Sequence, residues 1–93
     1  MYTYLLSNNQ NNENEQYKFI AKKFCHIIID YGNKQQEITM DKFDEIKWNN
    51  NVIITYKNNK GNYIDSYKLC VDSEYLKIYC YDQDSIELKK YYI

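Results

Sequence analysis

Proline and arginine are absent from these 93 residues, alanine occurs once and glycine twice. Two glycines leave no room for a Gly-rich phosphate loop, and there is no H-E-x-x-H pair to hold a hydrolytic metal. Without arginine the forked guanidinium contact to phosphate is excluded, which counts against nucleic-acid binding. No run of about 18 apolar residues exists, and the opening MYTYLLSNNQ has neither a basic stretch nor an apolar core. A cytoplasmic protein with no membrane association is therefore expected. Cys25, Cys70 and Cys80 are an odd set without C-x-x-C spacing, poor material for a disulfide framework or a zinc site. They are expected to be reduced and buried.

Charge of one sign is missing too. The 13 acidic and 12 basic residues nearly cancel, so no global field draws the chain to duplex DNA or an anionic membrane. Such binding has to come from a local patch. What is abundant is Asn, Lys, Ile and Tyr, each present 12 times. All four have A/T-rich codons, which points to an A/T-rich bacterium or to a phage or mobile element living in one. Tyrosine, phenylalanine and tryptophan supply enough ring volume for the core of a single domain spanning residues 1–93.

Hydrophobic spacing predicts an amphipathic helix over residues 13–31. At 100° per residue, Tyr17, Ile20, Ala21, Phe24, Cys25, Ile27, Ile28 and Tyr31 share one face. Asn12 with Glu15 imitates a capping box at its start, and Gly32 suits a left-handed cap at its end. The rest reads as strands: Tyr2–Leu6, Glu37–Met40, Val52–Lys57, Tyr63–Val71, Tyr75–Tyr81 and Ser85–Tyr92, with Asp41–Trp48 fitting either a bent strand, the preferred reading, or a helical turn. Short links at Asn58–Asn62, Asp72–Glu74 and Asp82–Asp84 predict hairpins. The expected fold is α+β: one helix on one face of a four- to five-stranded, mainly antiparallel sheet, a two-layer sandwich.

Alternation then defines the candidate surfaces. In the strand 75–81, Leu76, Ile78 and Cys80 point to the core, leaving Tyr75, Lys77, Tyr79 and Tyr81 on the solvent side. Tyr91 and Lys89 of the last strand are expected on that same face, with Lys68 and Thr55 alongside. Exposed tyrosine suits protein contact because it offers area and a hydroxyl with few torsions to freeze. A second surface is the outer helix face, where Phe19 projects among Lys22, Lys23 and His26. Acidic corners at Asp41/Asp44/Glu45, Asp72/Glu74 and Asp82/Asp84 read as solvated turns without metal.

No catalytic constellation accompanies these surfaces. Cys25 and His26 are adjacent and diverge, so they do not form a nucleophile–base dyad. The expectation is a non-enzymatic, cofactor-free interaction module that occupies a surface of a larger host protein or ribonucleoprotein complex. Its most concrete form is a small inhibitor of the anti-CRISPR or other anti-defence type, encoded by a phage or mobile element. Two alternatives stand beside it: a single-stranded nucleic-acid binder using the Tyr/Lys sheet face, and a self-associating structural protein that pairs with its own copy through that face or through the final edge strand.

Overall fold

The computed structural model describes residues 1–7, 15–32, 34–49, 53–69 and 75–92. Its elements are nine strands: β1 Tyr2–Ser7, β2 Glu15–Ala21, β3 Cys25–Asp30, β4 Gln35–Met40, β5 Glu45–Asn49, β6 Ile53–Lys57, β7 Tyr63–Lys68, β8 Tyr75–Cys80 and β9 Ile86–Tyr92. They form two antiparallel sheets, a four-stranded one ordered β1-β8-β3-β4 and a five-stranded one ordered β7-β6-β5-β2-β9. Among the described residues there is no helix, so the fold is all-β and the α+β expectation is corrected.

The error lies in residues 15–31, where two periodicities overlap. Tyr17, Ala21, Cys25, Ile27 and Tyr31 fit a helical stripe and also fit strict alternation. The discriminating residues are the others. Phe19 and Ile29, left off the helical stripe, are both 0% exposed, whereas Phe24, placed on it, is 60% exposed. Alternation therefore wins, and β-branched Ile27, Ile28 and Ile29 favour the pleat. The segment breaks at Lys22–Phe24, sending β2 into one sheet and β3 into the other. Gly32 does take a left-handed backbone, φ 108°, but it closes the β3–β4 hairpin. The proposed capping residue Asn12 lies outside the described residues.

Three further boundaries change. Residues 41–44 are a link between β4 and β5 and not part of a strand. The Asn58–Asn62 loop is a true hairpin, with Gly61 at φ 81°. The links after β7 and β8, by contrast, cross between the sheets, so these strands are not hydrogen-bonded to their successors. The Asp72/Glu74 corner and Cys70 lie outside the described residues, while Cys25 and Cys80 are buried free thiols.

One hydrophobic core fills the space between the sheets, with Phe19, Ile27, Ile29, Met40, Ile46, Ile54, Leu76, Ile78 and Ile86 fully or almost fully enclosed. Ring and hydroxyl contacts stitch the layers. Tyr4 meets Phe19 edge-on at 5.6 Å, and its hydroxyl donates to the Ile86 carbonyl at 3.3 Å. Where the chain changes sheet, three crossovers are tied to one another: Phe43 N–H donates to Ala21 O at 2.7 Å, Ala21 N–H to Asp44 O at 2.9 Å, and Lys22 N–H to Ser85 O at 2.9 Å. Phe43 takes φ 70°, a backbone that bulky side chains rarely adopt.

Asp44 anchors this corner from inside. Its carboxylate is buried and accepts from Asp41 N–H (2.9 Å), Asn59 N–H (2.8 Å) and the Tyr56 hydroxyl (3.1 Å). That hydroxyl also lies 3.0 Å from the Thr39 carbonyl, so its proton serves two acceptors. The acidic corner expected to be solvated is thus partly a buried hydrogen-bond hub.

Desolvation, followed by the charge of Asp44 and its hydrogen bond, pushes the Tyr56 phenol up to about 12 from an ordinary 10. The folded state therefore holds a proton that the unfolded chain releases first. Stability from this group is complete below pH 10 and declines as pH rises from about 10 to 12. Tyr4 and Tyr67, also raised by burial first of all, act in the same direction. Denaturant midpoints measured across that range should fall in the wild type and fall less steeply in Tyr56→Phe. A second pair of variants tests the two-strand assignment. Phe19→Ala should lower stability by about 3–5 kcal/mol and Phe24→Ala by less than about 0.5 kcal/mol, read from chemical denaturation.

Candidate functional site: the aromatic corner of the four-stranded sheet

The outer face of the four-stranded sheet is set by cross-strand register. Tyr79 pairs with Thr3 on one side and Ile28 on the other, and Ile28 pairs with Glu37. The next row is Leu5, Lys77, Asp30 and Gln35. Since Leu76, Ile78 and Cys80 are buried, Tyr75, Lys77, Tyr79 and Tyr81 point away from the core, as alternation requires. Tyr75 is 47% and Tyr81 84% exposed.

Here β3 contributes what the sequence had assigned to a separate helical surface. His26 and Ile28 lie on the same outer face as Tyr79, because β3 is hydrogen-bonded to β8. The His26 ring is held by Thr39, Nδ1 to Oγ1 at 3.0 Å, and meets Phe24 edge-on at 5.4 Å. Two crossovers rise beside it, Lys22–Phe24 and Tyr81–Ser85. They border a concavity of about 540 Å³ lined by Phe24, His26, Ile28, Glu37, Tyr79 and Tyr81 together with Met1, Lys23, Cys25, Cys80, Asp82 and Ser85.

The crossovers are held to each other by charge and hydrogen bonds. Lys23 Nζ is 3.3 Å from Asp82 Oδ2, and Asp82 Oδ1 accepts from Ser85 Oγ (3.2 Å) and from Asp84 N–H (2.9 Å). Desolvation opposes ionisation of Asp82, but the bonds from Lys23 and Ser85 outweigh it and hold this carboxyl below its ordinary value. Beneath the concavity, burial raises both thiols: Cys25 donates toward Ser85 O at 3.9 Å and Cys80 to Asp82 O at 3.1 Å. In a strand Cys25 points inward and His26 outward, so the two face opposite ways. Among the described residues no three His, Cys, Asp or Glu side chains converge on a metal position.

Of the residues singled out from sequence, Tyr75, Lys77, Tyr79, Tyr81, His26 and Lys23 therefore meet on or beside one face. Lys22 is exposed in the same crossover, its backbone N–H tied to Ser85. Phe19 is in the core, not on an outer face. Tyr91 belongs to β9 of the other sheet, as do Lys89 on β9, Lys68 on β7 and Thr55 on β6. The single Tyr/Lys face expected from sequence is thus divided between opposite sides of the molecule. Phe24, Ile28 and Glu37 were missed, the first two because a helical reading buries them. The chain matches no protein-family model, no curated protein and no solved structure.

Proposed function

We propose that this chain is a binding module whose contact surface for another protein is the aromatic corner of the four-stranded sheet. The observation that supports this is the grouping of Phe24 and Tyr81, both mostly exposed, with Tyr79, His26 and Ile28 around one concavity. Large rings left in water lose apolar burial that a partner would restore, and aromatic anchors grouped around a hollow are the side chains that dominate protein interfaces. Charge at this face is balanced, Asp30 lying opposite Lys77 and Asp82 paired with Lys23, so no positive field draws a phosphate backbone to it and the rings favour a protein. A partner that places an apolar side chain in the hollow fits this chemistry. The more specific form, an inhibitor that covers a working surface of a larger host protein, rests on the small size and A/T-biased composition.

Capture from host lysate with Phe24→Ala/Tyr81→Ala, compared with wild type and with Tyr63→Ala on β7 as a remote control, tests the surface. Truncating two anchors should weaken retention of a specific partner at least 30-fold while the control retains it. Equal retention by all three proteins would remove the aromatic corner as the binding surface.

A further inference from the structure

The opposite side of the sandwich carries a different chemistry. On the outer face of the five-stranded sheet, Lys18 of β2 pairs directly with Lys47 of β5 and with Lys89 of β9. Lys47 pairs in turn with Thr55 of β6, and Thr55 with Ser66 of β7. The row Ser66–Thr55–Lys47–Lys18–Lys89 crosses all five strands, and every side chain in it is a hydrogen-bond donor. With strands about 4.8 Å apart the row is roughly 19 Å long. Lys57 and Lys68 lie in the rows beside it, opposite Glu45 and Ile53.

Five lysines and two glutamates, Glu45 and Glu87, share this face among the described residues, although the whole chain carries a net charge of −1. Codon bias explains how many lysines there are, not their alignment. Like charges directly opposite one another on a sheet destabilise it. Glu45 offsets one of them, at 3.4 Å from Lys18 Nζ. The alignment thus works against folding, and an anion laid along the row would relieve it.

From this alignment we infer that the outer face of the five-stranded sheet binds the sugar–phosphate backbone of a nucleic acid. Lysine ammoniums and Ser/Thr hydroxyls are phosphate contacts that carry no base readout, so binding is independent of sequence. A continuous line of donors matches a chain of regularly repeated phosphates better than it matches scattered carboxylates on a protein. The site lies on the far side from the aromatic corner, so both are open at once.

The test uses fluorescence anisotropy with a labelled mixed-sequence 20-mer, single- and double-stranded, and with labelled poly-glutamate, from 50 to 200 mM salt. Expected is binding of the oligonucleotide at low salt that weakens with a log–log slope of about −1.4 to −2.7, as for two or three neutralised phosphates on a single strand or a duplex. Lys47→Glu/Lys89→Glu should weaken it at least tenfold. Each new glutamate lies opposite Lys18, so the folded state is favoured and lost binding is not lost folding. Phe24→Ala/Tyr81→Ala should leave it unchanged. No oligonucleotide binding at 50 mM salt, a flat salt response, or full affinity in the lysine variant would overturn the inference. Binding of poly-glutamate with none of either oligonucleotide would also overturn it, in favour of an acidic protein.

Discussion

Everything distinctive in this molecule depends on the break at Lys22–Phe24, where the chain leaves one sheet and enters the other. The crossover is fixed by backbone bonds that link Ala21 to Phe43 and Asp44, and Lys22 to Ser85. A strand that ends in apolar surroundings has to satisfy its last N–H and C=O groups elsewhere, and here neighbouring crossovers do so. Asp44 completes the arrangement by accepting from a turn, a strand hydroxyl and a hairpin loop together. Because β2 and β3 part at this point, Lys18 ends on one side of the protein and His26 on the other.

That separation gives the two outer faces opposite characters. One gathers aromatic rings around a hollow with carboxylates close by; the other lines up lysines and hydroxyls across five strands. Neither arrangement is required by the core. The core needs only alternate residues to point inward, and the outward set is free to differ between sheets. A small protein with two unlike faces back to back is suited to joining or blocking components of an assembly, in keeping with the binding role proposed for the aromatic corner.

How much of this was legible in the sequence differs from strand to strand. The alternation of Leu76, Ile78 and Cys80 with Tyr75, Lys77, Tyr79 and Tyr81 is unbroken, so the outward face of β8 could be read directly. The β6–β7 hairpin was equally plain, because its loop holds the glycine that takes a positive φ. Residues 15–31 were not legible as strands. Five of their apolar positions satisfy both periods, and Asn12, Glu15 and Gly32 imitate helix ends. The three consecutive isoleucines and buried Phe19 carried the contrary signal. Which strands share a sheet is set by non-local packing, which short links such as Asp82–Asp84 do not encode, so the Tyr/Lys face was assembled across a boundary that the fold does not allow.

Backbone nuclear Overhauser contacts in the labelled protein test the account most directly. It predicts cross-strand contacts from residue 18 to both 47 and 89, and from residue 28 to both 37 and 79, in keeping with their pairing. Sequential i to i+3 contacts running through residues 15–30, with those cross-strand contacts missing, would contradict it.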